Sequence, residues 1–343
     1  MAARWFIAVD AMSGDEGPAI VVPAILNFLE KHEAFGVYLV GNQSALEALL
    51  ISDPRYRNLR DGRLLLEHAD SVVQMDDKPT FAWRNKQDSS MAHALRLVKS
   101  GSAHACLSAG NTGALMIMSR AILGTYPGID RPAITKIFPS KTGGTLLLDL
   151  GANVDCSAEQ LLQFAVMGQA LAQVIKAVDE PTVALLNVGG ESIKGNEQVR
   201  LAASLIRDCD VINYVGFAEG GDIFRGAADV VVCDGFVGNV ALKSAEGAAK
   251  IILQGVREFF SGSWYRKLLG RLMLPLMGSA LKQLDPDTHN GAIFLGLQGV
   301  VVKSHGNASA SSFEHAMALA AREVETDCNR LIAERLDDAL LQV

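Results

Sequence analysis

Seven short apolar runs, at 6–9, 37–40, 105–107, 145–148, 183–188, 211–215 and 230–232, recur along the chain with helix-like stretches between them. Runs this short, apolar on both faces and separated by helical periods, read as strands buried on both sides. The pattern predicts an α/β fold, a largely parallel sheet sandwiched by helices. Ligands of such sheets gather at the carboxyl ends of strands, so the loops there are the place to seek chemistry.

The most informative loop follows the run at 183–188 and reads Asn187-Val188-Gly189-Gly190-Glu191-Ser192-Ile193-Lys194-Gly195-Asn196-Glu197. A strand that opens through glycines into a helix delivers free backbone N–H groups and a positive helix end to one point, which suits an anionic oxygen. Gly190 and Gly195 have the outer spacing of a P-loop, yet Asn196-Glu197 stands where Lys-Ser/Thr is required, so the nucleotide reading fails. Lys194 lies inside this turn and makes it a phosphate-binding candidate.

Other strand-end loops share the design. Asp10 to Pro18 carries three carboxylates and two glycines, with Gly14 in the turn and Pro18 starting a helix; Asp10 either caps backbone amides or faces a ligand. Asn111, Thr112 and Gly113 sit among small residues that let a backbone approach a ligand or a neighbouring helix. The 149–155 loop places Asp149, Asn153 and Asp155 around Gly151; with no supporting ligand nearby, hydrogen-bonding and turn roles are expected and no metal. Gly238 and Asn239 fall where a further helix is expected to begin, Asn239 being a candidate N-cap or ligand. His305 lies in a Gly/Ser-rich loop as a binding group, a structural group or an acid/base.

The alternation breaks over 241–284, where no strand is expected and a helical insertion protrudes from what otherwise reads as one domain over 1–343. Trp264, Leu268 and Leu272 form one apolar stripe, with Arg266, Lys267 and Arg271 off it, and Pro275 is expected to kink or end the helix before Leu276. Such a face suits an anionic membrane surface or a second subunit.

A net charge of −7 opposes general nucleic-acid binding, which needs clustered Lys and Arg. Five widely spaced cysteines without C-x-x-C argue against a disulfide framework or zinc cluster and for a reducing compartment. Asp10 interrupts the first apolar run before a signal peptide could form, and no uncharged run is long enough to span a bilayer. A cytoplasmic protein, at most peripheral to the inner face of the membrane, is expected.

Taken together, AVDAMSGDEGP, LSAGNTGALM, LLLDLGANVDC, ALLNVGGESIKGNE, VGFAEGGDIF, VCDGFVGNVALK and KSHGNAS, in this order, resemble the bacterial phosphate acyltransferases of phospholipid synthesis, the PlsX family, over essentially the whole length. One departure is Ser13 where the family usually has glycine. The resemblance implies a fold similar to phosphotransacetylase and isopropylmalate dehydrogenase, a homodimer, and transfer of a long fatty acyl group from acyl carrier protein to inorganic phosphate. It implies no cofactor, and a downstream membrane acyltransferase that accepts the acyl phosphate.

Phosphate is itself a nucleophile and a thioester is already activated, so a protein of this kind has chiefly to position both and stabilise charge. Lys194 and Asn239 are then the expected catalytic pair, a choice the resemblance also favours. Asp10, Gly14, Asn111, Thr112, Gly113, Asn153, Gly190, Asn196, Gly238 and His305 are phosphate- or substrate-binding candidates. An acidic carrier needs basic contacts, for which Arg257, Arg266, Lys267 and Arg271 are candidates, and Trp264, Leu268 and Leu272 would meet the membrane. The competing readings are a nicotinamide-dependent decarboxylating dehydrogenase of related fold, which needs acids gathered around a metal, and a non-catalytic membrane scaffold.

Overall fold

The structure is a computed structural model that describes residues 3–59 and 62–340. Its strands are β1 (Trp5–Asp10), β2 (Phe35–Gly41), β3 (Leu64–His68), β4 (Ala105–Ser108), β5 (Ala133–Phe138), β6 (Thr145–Leu148), β7 (Val183–Leu186), β8 (Tyr214–Ala218), β9 (Val230–Val232), β10 (Ala292–Leu295) and β11 (Val300–Lys303). They join in one sheet of order β3-β2-β1-β4-β11-β10-β5-β6-β9-β7-β8. The helices are α1 (Pro18–Lys31), α2 (Gln43–Ser52), α3 (Pro79–Asn85), α4 (Ser90–Lys99), α5 (Thr112–Leu123), α6 (Ala158–Lys176), α7 (Glu197–Arg207), α8 (Gly220–Arg225), α9 (Gly235–Ser261), α10 (Trp264–Leu284), α11 (Ala310–Glu325) and α12 (Cys328–Leu340).

The sheet is two parallel halves joined by antiparallel pairings. β11 pairs antiparallel with β10, β10 with β5, and β5 with β6, so three reversals set β6, β9, β7 and β8 opposite in direction to β1 to β4 and β11. One row of residues nevertheless runs Leu107, Val302, Ile293, Thr135, Leu148, Val232, Leu185 across both halves. It therefore brings the last residues of β6 and β9 level with the penultimate residue of β11. The carboxyl ends of both halves meet at the centre of the sheet, the kind of switch point at which α/β sheets bind ligands.

Alternation of side chains splits the core in two. Row residues such as Val302, Leu148 and Val232 pack with α1, α6 and α11 on one face, while Cys106, Val301, Phe294, Ile134 and Leu147 pack with α4 and α5 on the other. Lys136 and Lys303 fall on this second face by the same alternation, at the level of the meeting ends.

Several boundaries differ from the sequence expectations. The run at 211–215 is strand only from Tyr214, where β8 starts and pairing with Val183 begins, and β8 runs on to Ala218; Ile212 is buried in the turn before it. The run at 183–188 ends as a strand at Leu186. β3, β5, β10 and β11 lie outside the runs read as strands; they are four to six residues long and break the simple alternation with helices. Pro275 neither ends nor divides α10, which continues to Leu284. α9 and α10 pack against each other, and the predicted stripe faces outward, with Trp264 78%, Leu268 62% and Leu272 67% exposed. Among the described residues no helix is long and apolar enough to cross a membrane.

Candidate active site

Over the meeting ends lies a pocket of about 340 Å³. Its lining includes Thr112 from the start of α5, Ile134 and Lys136 from β5, Gly151 from the loop after β6, Asn239 and Lys243 from α9, and Lys303 and His305 from the end of β11. α9 begins under Asp234, whose carboxylate accepts the Val237 N–H at 2.8 Å, so Asp234 is the N-cap and Asn239 stands in the second turn. That corrects the capping reading of Asn239, whose amide is free to act as a wall of the pocket. A Cβ at Gly238 would overlap the Asp149 carbonyl oxygen, so glycine lets α9 lie against the β6 loop and sets Asn239 beside Gly151.

Asn239, Lys243 and Glu246 follow at i, i+4 and i+7 and share one face of α9. The Glu246 carboxylate is the hub of the site. It meets Lys136 Nζ at 3.3 Å, His305 Nε2 at 3.1 Å and Lys243 Nζ at 3.1 Å. Burial opposes its ionisation, but the His305 hydrogen bond and the Lys136 charge outweigh burial and hold the carboxyl well below its ordinary range. An ionised Glu246 makes His305 Nε2 a donor. The backbone N–H of His305 donates to Asn290 Oδ1 at 3.0 Å, and Asn290 Nδ2 donates to Ser304 Oγ at 2.8 Å and to the Ser312 carbonyl at 2.9 Å, which fixes the loop.

Lys136 is only 8% exposed, and burial pushes its pKa down. Lys303 is pushed down to about 8 by burial, against the pull of Asp10; its ammonium donates to the Ala109 carbonyl at 3.1 Å. Two lysines and a histidine thus meet one carboxylate, and Lys303 lines the same pocket, which gathers positive charge there. Such an arrangement suits an anion and stabilises negative charge that develops beside it.

The sequence candidates divide into groups. Thr112, Asn239 and His305 line the pocket. Asp10 is buried beneath it and its carboxylate accepts from Ser108 Oγ at 2.7 Å, a contact to a neighbouring strand; of the two roles open to it, a cap on backbone amides is not the one its contacts show. Gly14, at φ 93°, sits on the Gly306 carbonyl, where Asp15 N–H donates at 2.7 Å and joins the β1 and β11 loops.

Other candidates hold backbone. Asn111 caps α5 through the Ala114 N–H and binds the carbonyls of Met75 and Asp77, and Gly113 lies against Pro79. Asn153 is buried, its amide donating to Pro132 and Asp149, and Asn196 caps α7 through the Val199 N–H. Gly190 faces open space. Lys194 is not in the pocket lining; it is exposed and meets Glu191 at 2.7 Å.

Lys136, Lys243, Glu246, Asn290 and Lys303 were absent from the sequence candidates. The helical spacing from Asn239 to Lys243 and Glu246 was a usable signal and Lys303 opens the KSHGNAS stretch, whereas nothing local marks Lys136. On the hairpin, Arg257, Lys267 and Arg271 are exposed, and the Arg266 guanidinium stacks 4.9 Å over Phe259.

Comparison with known proteins places this geometry in context. Residues 6–331 match the model of the fatty acid synthesis protein family. A phosphate acyltransferase of Marinobacter nauticus is 52% identical over 335 residues, covering 98% of this chain and 96% of its own length. One of Methylococcus capsulatus is 53% identical over 332 residues, with 97% of each chain covered. Among solved structures, a phosphotransacetylase from Streptococcus pyogenes superposes with TM-score 0.60 at 18% identity over 94% of each chain. A 4-hydroxythreonine-4-phosphate dehydrogenase from Klebsiella pneumoniae gives 0.50 at 16% identity over 94% of this chain and 99% of its own. The structural likenesses concern the fold alone, and the expected kinship with phosphotransacetylase is among them.

Proposed function

The chain belongs to the phosphate acyltransferases of the fatty acid synthesis protein family and is an acyltransferase; from that premise we propose that it moves a long-chain fatty acyl group from the thioester of acyl carrier protein to inorganic phosphate, for phospholipid synthesis. The observation that carries the reading is the cluster of Lys136, Lys243 and His305 around Glu246, with Lys303 and Asn239 in the same pocket. Hydrogen phosphate docks against the ammonium groups of Lys136 and Lys303. One of its oxygens attacks the thioester carbonyl carbon, and Asn239 donates to the oxygen that gains charge. Collapse breaks the carbon–sulfur bond, the sulfur takes the proton that the phosphate gives up, and acyl phosphate and free carrier thiol result. Binding and electrostatics suffice, because both reactants are already competent.

Lys194 joins by exchanging Glu191 for the phosphate, a swap that an exposed and solvent-screened pair permits. The hairpin supplies the rest of the reading. Arg257, Arg266, Lys267 and Arg271 dock the acidic carrier, and Trp264, Leu268 and Leu272 meet a second subunit or an anionic membrane, where a membrane acyltransferase takes up the product. The test is direct: with acyl-carrier thioester supplied, free carrier thiol should appear only when phosphate is added. Phosphate-independent release, or none, would remove the reaction.

A further inference from the structure

Next to the polar pocket a second cavity, of about 640 Å³, runs between α9 and the β5–β6 hairpin. Its walls are apolar: Phe138 from β5, Phe224 from α8, and Leu242, Ala245, Ala249 and Ile252 along α9. The two cavities share Lys136 and Leu242, and Glu246, which lines the second, pairs with Lys136, so the Lys136–Glu246 pair stands at the threshold between them. We propose that this groove holds the hydrocarbon tail of the acyl donor, its carbonyl end at Asn239 and its methyl end near Ile252; the assignment rests on the acyl-transfer reading and adds to it the place of the chain.

Four observations support that occupant. A carbonyl held beside the anion pocket must send its chain somewhere, and the groove adjoins that pocket at Lys136 and Leu242, on the side of α9. Alanines at 245 and 249 keep the helix face low, which leaves a channel where larger side chains would fill it. From Leu242 to Ile252 the helix rises about 15 Å, the length of roughly a dozen methylenes. The volume is that of sites which engulf most of a ligand. A two-carbon acyl group would leave most of this apolar surface in water; a long chain would cover it.

The test uses the full chain with phosphate and a series of acyl pantetheine thioesters of increasing length. For the parent, kcat/KM should climb by up to about fourfold per methylene while added carbons enter the groove, then level off near a dozen carbons. Ala249→Phe, which fills the middle of the channel, should cut the ratio of long-chain to short-chain kcat/KM by tenfold or more. Ile252→Trp, at an exposed position whose replacement leaves the core alone, should move the plateau to shorter chains. Unchanged length profiles in both variants overturn the assignment, as does equal loss at every length. Unchanged profiles with a fall in sedimenting mass would give the groove to a second copy of the chain. A parent that releases no thiol with any thioester defeats the acyl-transfer reading itself, whereas an active parent with a flat profile defeats only the groove.

Discussion

Replacing Lys136 by methionine removes one ammonium from the pocket while keeping a side chain of similar length in the same slot. Lys136 is nearly buried, its charge held 3.3 Å from Glu246 in surroundings that push its pKa down. Desolvation of that charge opposes folding, so methionine relieves a cost at the same time as it unpairs the carboxylate. Glu246 keeps His305 and Lys243, each at 3.1 Å, and is not stranded. The two effects offset, and the melting temperature should move by no more than about 3 °C.

Activity has no such compensation. A unit charge about 4 Å from a phosphate oxygen is worth about 4 kcal/mol per charge at an effective dielectric constant near 20. Water entering the vacated space recovers part of this, which leaves the hundredfold to thousandfold loss typical of removing one preorganised electrostatic group. Thiol release measured against phosphate concentration should therefore show kcat/KM for phosphate down by about two to three orders of magnitude in Lys136→Met. If kcat/KM stays within about threefold of the parent with an intact melt, the cluster is not the phosphate site. If in the same series Lys194→Ala is the variant that loses activity, the anion goes to the Glu191–Gly195 turn instead. A large fall in melting temperature with kcat/KM unchanged would make Lys136 a residue of the fold alone.

Because burial sets Lys303 at about 8, its ammonium is present below that pH and lost above it. The value of kcat/KM for phosphate should fall as pH rises through about 8, and a limb that persists in Lys303→Met would refute the assignment. Glu323 on α11 is 2% exposed, and burial raises it to about 7 from an ordinary 4.5. The folded state thus binds a proton that the unfolded state has released: no penalty exists below about 4.5, and it grows to at most about 3 kcal/mol above about 7. Glu323→Gln should accordingly raise the melting temperature at pH 8 and much less at pH 4.5; an equal gain at both would exclude ionisation as the cause. Trp264→Glu combined with Leu268→Glu should abolish co-sedimentation with anionic vesicles, and unaltered binding would end the membrane reading of α10. Charge reversal across Arg257, Arg266, Lys267 and Arg271 should raise KM for the carrier thioester and spare a small one, whereas equal effects on both would argue against docking.

What could be read in advance was local. Gly-rich loops behind β1, β4, β6, β7 and β11 announce strand ends, because a chain that turns sharply after a buried strand needs small residues wherever the turn is placed. Those loops made the α/β fold and the position of the site legible. They were poorer guides to which side chains reach the ligand, since the polar residues most common in such turns are also the ones that cap helices. Asn111, Asn153 and Asn196 look alike in the sequence to Asn239, yet three of them hold backbone groups and one faces the pocket.

The lysines escaped for the opposite reason. Lys136 lies in the middle of Ala133–Phe138 and Lys303 ends the run from Val300, so neither sits in a loop rich in turn residues. Their meaning comes from register. The antiparallel pairings of β10 carry the row from Val302 through Ile293 to Thr135, and only then do Lys303 and Lys136, each one residue further on, emerge on the same face. α9 completes the cluster from across the sheet with Lys243 and Glu246, which on the sequence alone are a solvated i, i+3 pair. Burial converts that pair: once Lys136 and His305 converge on the same carboxylate, Glu246 ceases to be a surface charge and becomes the anchor that holds positive charge together before an anion arrives. A site of this kind is long-range electrostatics built from individually unremarkable residues, and the reversal of direction at the centre of the sheet is what assembles it.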